Sequence, residues 1–248
     1  MRDFFENFKY ENRDMPRSTK VIYGTLAVLL LVFLMGRLIK TPTILIMIGV
    51  LMISIILHEL AHGVVAYLNG DSTAKVMGRL TLNPIKHIDP LGMLLPIGLI
   101  LMGSSFVIGW AKPVPVDYRN FRRGELSVFM VSIAGVVVNF TLAFVGATII
   151  KFFPELYMSN DIVHMAIGYL IRINLVLGIF NILPIPPLDG SKILWSLGGD
   201  VIKDMVENLD RYGFFIIIAL SYLGILWKII DPMFGFLVNI LNMYIRQG

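Results

Sequence analysis

Thr43-Ile-Leu-Ile-Met-Ile-Gly-Val-Leu-Met-Ile-Ser-Ile-Ile-Leu-His-Glu-Leu-Ala-His-Gly-Val-Val-Ala-Tyr67 is a run of apolar residues long enough to cross a bilayer as one helix, yet it carries His58, Glu59 and His62 near one end. Histidines four apart project from one face of a helix, where both can hold one zinc ion, and the glutamate between them can act as a base toward water. An ionised carboxylate in hydrocarbon costs about 2.5–3.5 kcal/mol on insertion scales, so such a cluster needs a partner or a purpose. A zinc ion supplies both.

The rest of the chain has the composition of an integral membrane protein. Of its 248 residues 56% are hydrophobic and only 15% are charged, and the mean hydropathy is +0.77. The first twenty residues are too charged for the apolar part of a signal peptide, so Val21–Ile39 reads as a retained helix. The chain has no cysteine. That excludes disulfides, thiolate ligands and a cysteine nucleophile, and leaves metal chemistry to His, Asp and Glu. A net charge of +4 is ordinary for a polytopic protein under the positive-inside bias, and no nucleic-acid partner is expected from it.

Further runs long enough to span are Leu126–Phe153, Ile162–Leu183 and Tyr212–Ile230, while Met233–Ile245 is short and is expected at the interface. The tract Leu91–Trp110 is apolar but interrupted by Pro96, Gly98, Gly103 and Gly109. Basic residues decide its path. Five precede the first span, three lie in Asn69–Pro90, four in Ala111–Glu125 and three in Asp189–Arg211. All four groups are cytoplasmic only if Leu91–Trp110 enters and leaves on one side, as a re-entrant segment buried in protein or lining a cavity.

A catalytic zinc takes three protein ligands and leaves one position open. Asp189 is the candidate third ligand, in Asn181-Ile-Leu-Pro-Ile-Pro-Pro-Leu-Asp-Gly190, where three prolines end the preceding helix and turn the chain. At about 1.5 Å per residue His58 lies roughly 22 Å below Thr43, and Ile162–Leu183 covers roughly 33 Å. Asp189 therefore reaches the histidines if these two helices are parallel, which the charge count already requires. Glu125, Glu155 and Glu207 lie near span ends without a supporting motif.

These paired segments resemble the two signatures of the site-2 proteases, the zinc intramembrane metalloproteases. The stretches Gly78–Gly92 and Gly109–Val116 are similar to the compact branch of that family, which has no PDZ or CBS domain, and the resemblance covers roughly residues 51–192. It implies one Zn2+ per chain held by His58, His62 and Asp189, with Glu59 as the general base. It also implies that Asn139 and Asn181 position substrate or stabilise the oxyanion. His87 is a further candidate near the metal or the substrate; His164 is read as structural. Arg172 falls mid-span, where an arginine is a functional hypothesis by default.

The expected fold is an all-α polytopic membrane protein of about six transmembrane helices, with the re-entrant segment and a small membrane-associated β-strand region. Residues 1–248 are expected to form a single domain with a catalytic core at about 43–192. The strand, Thr73–Leu82, would pair with an extended substrate and so expose its peptide bonds. The implied function is hydrolysis of peptide bonds within or near transmembrane segments. The expected partners are a transmembrane protein substrate and the lipid bilayer, in a multi-pass cell-membrane protein whose N-terminus and active-site side are cytoplasmic. The alternative is a zinc transporter or channel, although no internal repeat of the kind common in transporters is visible.

Overall fold

The fold comes from a computed structural model that describes residues 42–87, 89, 112–247 and eight scattered positions between 16 and 36. Contacts divide the chain into residues 1–45 and 46–248. In the first unit the described positions from 19 to 36 are helical.

The second unit is entered along α1, Pro42–Leu68, which carries the two histidines. A one-turn helix α2, Thr73–Val76, follows. Then come α3 (Glu125–Phe152), the short α4 (Pro154–Tyr157) and α5 (Asp161–Ile182). The chain ends in α6 (Asp189–Leu197), α7 (Asp200–Asp210), α8 (Gly213–Tyr222) and α9 (Ile225–Arg246). Four of these helices are long and apolar enough to cross a membrane: Thr43–Leu68, Glu125–Phe152, Asp161–Ile182 and Ile225–Arg246.

Small residues let the spans approach closely, as expected where apolar burial drives helix association weakly. A Cβ on Gly146 of α3 would lie 2.6 Å from Ile171, and one on Gly178 of α5 would lie 2.7 Å from the Phe140 ring. Asn160 caps α5 by accepting from the Val163 N–H at 3.0 Å. Beyond α5, the proline-rich turn, α8 and α9 close a core of Ile179, Leu183, Leu188, Ile217, Leu226 and Ile230.

Helix directions follow from polar contacts between spans. Val131 and Asn139 of α3 meet His62 and His58 respectively, so α3 runs antiparallel to α1. Asn174 meets Ser54, and Asp189, beyond the end of α5, meets His58 and His62. The helices α1 and α5 are therefore parallel, which brings Asp189 to the histidines.

Three expectations change. Thr73–Leu82 is not a strand: its first residues form α2, and the described residues contain no strand. The Thr73 N–H and hydroxyl are both drawn to Asp71, the Met77 and Arg79 N–H groups close local turns onto Thr73 and Ala74, and Gly78 takes a left-handed φ of 63°. Those local bonds consume the donors that an edge strand would offer. Tyr212–Ile230 is not one span either, because Gly224 at φ 69° breaks it. The residues expected at the interface belong instead to α9. The Leu91–Trp110 segment lies outside the described residues, and so does most of the Val21–Ile39 span, of which six positions are described and helical; the count of six depends on both.

Candidate metal centre

His58 and His62 lie on successive turns of α1 and are both buried. Their Nε2 atoms are 3.0 Å apart, and each is 3.2 Å from Oδ2 of Asp189, the first residue of α6. The chain reaches that position because the Leu183–Leu188 turn packs against the end of α5. A Cβ on Gly190 would overlap the carbonyl oxygens of Ile182 and Leu183, so only glycine can follow Asp189 there. On the opposite side Gly135 of α3 faces both rings, and a Cβ on it would lie 2.5 Å from His58 Cε1 and His62 Nε2.

The other ring nitrogens are engaged. His62 Nδ1 donates to the Val131 carbonyl at 2.7 Å, and His58 Nδ1 meets Asn139 Oδ1 at 2.6 Å. With their protons on Nδ1, two neutral imidazoles turn bare Nε2 atoms toward each other and toward a carboxylate oxygen that is buried without a donor. Three converging lone pairs repel unless a cation lies between them. Ligand atoms around one tetrahedral zinc, with bonds of about 2.0–2.1 Å, lie roughly 3.3 Å apart, close to the separations found here. The donor set of two imidazoles and one carboxylate suits that ion.

Glu59 lies between the histidines and is half-buried. Its Oε2 accepts the Val114 N–H at 2.8 Å. Val114 belongs to an extended strap, residues 112–117, held at both ends. Arg79 donates to the Lys112 and Pro113 carbonyls at 2.7 and 3.2 Å, and the Asp117 N–H donates to Asp71 at 2.8 Å. Asp71 is fully buried and also accepts from Thr73 and Asn120. Burial alone would raise its carboxyl pKa, but the hydrogen bonds from Thr73, Asn120 and the Asp117 N–H outweigh burial and hold it below the usual range.

Among the described residues only His58, His62 and Asp189 form a group of three or more possible ligands. His87 is buried, but its Nε2 meets the Thr81 carbonyl at 2.8 Å and it stands outside that group. Asn181 is half-buried and donates to the Leu177 carbonyl at 2.9 Å. Asn139 is fully buried, with its Oδ1 on His58 and its Nδ2 donating to Asn174. Glu125 pairs with Lys203, and Glu207 accepts from the Trp195 indole. His164 meets the Tyr157 hydroxyl. Arg172 is exposed at mid-helix in α5.

Sequence reading missed Ser54, Gly135, Val131, Val114 and Asn174. Asn174 carried a signal, a polar residue within a mostly apolar span; the two backbone partners carried none.

Comparison with known proteins supports zinc as the metal. Residues 155–222 match the profile of Peptidase family M50. The chain is 40% identical over 190 residues to the Bacillus subtilis protein named "Putative zinc metalloprotease YwhC", an alignment covering 73% of this chain and 84% of that relative. It is 29% identical over 178 residues to the Mycolicibacterium smegmatis "Putative zinc metalloprotease Rip2", covering 71% and 66% of the two chains. The Mycobacterium tuberculosis H37Rv protein of the same name is 33% identical over 146 residues, 58% of this chain and 53% of that one. No solved structure matches. The chain belongs to peptidase family M50, the site-2 proteases, a family of membrane zinc metalloproteases.

Proposed function

We propose that the protein is a zinc-dependent intramembrane endopeptidase, hydrolysing peptide bonds within or near the transmembrane segments of other membrane proteins. The observation that carries the reading is the convergence of His58 Nε2, His62 Nε2 and Asp189 Oδ2 within 3.0–3.2 Å of one another, with both histidines inside an apolar span.

His58, His62 and Asp189 hold the zinc. When bound, the ion acts as a Lewis acid that makes water nucleophilic near neutral pH and polarises the scissile carbonyl. Glu59 takes the proton of the attacking water and passes it to the leaving amine. The Val114 N–H fixes one oxygen of that carboxylate and leaves the other to move the proton. Asn139 meets His58 through its oxygen, and Asn139 and Asn181 remain the candidate asparagines for substrate or oxyanion. His87, tied to Thr81, acts by holding the loop before the strap, whose Lys112 N–H donates to its carbonyl.

The test is metal content measured beside cleavage of a transmembrane peptide. Glu59→Gln should keep near-stoichiometric zinc and lose activity by several orders of magnitude, because an amide cannot accept the proton. Asp189→Ala should lose both. Full zinc in Asp189→Ala would overturn the ligand assignment, and substantial cleavage by Glu59→Gln would overturn the mechanism.

A further inference from the structure

Behind His58 lies a buried chain of polar groups that crosses three spans and returns to its starting helix. His58 Nδ1 meets Asn139 Oδ1 at 2.6 Å, and Asn139 Nδ2 donates to Asn174 Oδ1 at 2.9 Å. Asn174 Nδ2 donates to Ser54 Oγ and to the Leu170 carbonyl, both at 2.8 Å, and Ser54 donates to the Val50 carbonyl at 2.8 Å. Ser54, Asn139 and Asn174 are each 0% exposed. Ser54 sits one turn before His58, so the chain leaves α1, passes through α3 and α5, and closes on α1 again.

The direction of every bond in this chain is set at its far end. A backbone carbonyl can only accept, so the Leu170 oxygen requires the amide nitrogen of Asn174 on its side. The Asn174 oxygen must then face Asn139 and requires a donor there. That turns the Asn139 oxygen toward His58, and an oxygen accepts only from a protonated Nδ1. His62 reaches the same state directly, through the Val131 carbonyl. His58 faces an amide instead, which alone would serve either tautomer by flipping, so its state depends on Asn174.

We propose that Asn174 is a positioning residue for the metal centre: with Ser54 it sets the polarity of Asn139 and so holds His58 in the Nδ1–H form with Nε2 bare. The assignment rests on the reading of His58 as a ligand, and it adds a residue from α5 to a site otherwise built from α1, α3 and α6. Outer partners of ligating histidines commonly contribute about 10–100-fold to metal affinity.

The experiment combines histidine 15N spectra of the metal-free protein in detergent with zinc affinity by chelator competition. The chain has four histidines, which individual substitutions can assign. Wild type should show a protonated Nδ1 at His58; a bare Nδ1 there would overturn the proposal without any Asn174 variant. Asn174→Leu frees Asn139 to flip, and should shift His58 toward a bare Nδ1 and weaken zinc about 10–100-fold. Asn174→Asp keeps an oxygen toward Asn139, and should retain both the wild-type tautomer and an affinity well above that of Asn174→Leu. An unchanged tautomer and affinity in Asn174→Leu, or equal losses in the two variants, would overturn the polarity argument. His58→Ala separates the two readings: full zinc in that variant would refute His58 as a ligand, whatever its tautomer.

Discussion

Gly135 shows how narrowly single residues constrain the centre. It offers no chemistry, yet both imidazoles lie where its Cβ would be. Gly135→Ala should therefore push the rings apart and lower zinc affinity and cleavage at least about tenfold, the scale seen when ligand orientation is disturbed. An alanine variant with wild-type zinc affinity would mean that the rings can shift without loss. His58, Glu59 and His62 were legible as a candidate centre because helix geometry ties such chemistry to a short, fixed spacing, and Asp189 because the proline-rich turn and the helix directions could bring it back to them. Gly135 and Asn174 were not, because their roles depend on which helix faces which, and a single chain carries no direct record of that. Asn139 is legible as a polar residue in a span, but its contact with His58, which depends on the same helix packing, is not.

Among the elements, the turn after α1 is organised by one carboxylate. Asp71 gathers Thr73, Asn120 and the Asp117 N–H, and so ties α2 to the strap that contacts Glu59. Replacing it with asparagine puts an amide donor among donors, and should cost about 1–3 kcal/mol, read as a lower Tm. Its depressed pKa gives the pH dependence a sign. The contribution is fully present above the unfolded value near 4 and is lost as pH falls through the lower folded value, so wild type should lose Tm in that acid range more steeply than Asp71→Asn. Equal slopes would count against Asp71 as the titrating group. The same carboxylate explains the failed strand: Thr, Val and Leu content alone marks Thr73–Leu82 as extended, whereas local side-chain bonds and the left-handed Gly78 turn it into a helical turn. At Gly224 an apolar average likewise hides a break.

For the whole molecule, the ligands join α1 to α6 across more than 120 residues of chain, so zinc should hold the bundle together. Wild-type Tm should rise with free zinc, by about 4 kcal/mol of stability at a thousandfold excess over Kd, and Asp189→Ala should abolish the rise. A Tm indifferent to zinc in wild type would mean that the folded and unfolded chains bind it equally. Hydropathy located three of the four candidate spans closely, since length and apolarity are properties of one helix, and the parallel course of α1 and α5 followed from charge and motif together. The assembly also carries a safeguard against misthreading. Within the strap the residue whose N–H reaches Glu59 is Val114, and its neighbours on both sides, Pro113 and Pro115, have no N–H. A slip by one residue in either direction would present a ring nitrogen and leave the carboxylate without that donor. The loop thus cannot creep along the bundle one residue at a time, and the alternating prolines act as the teeth of a ratchet that admits only every second step.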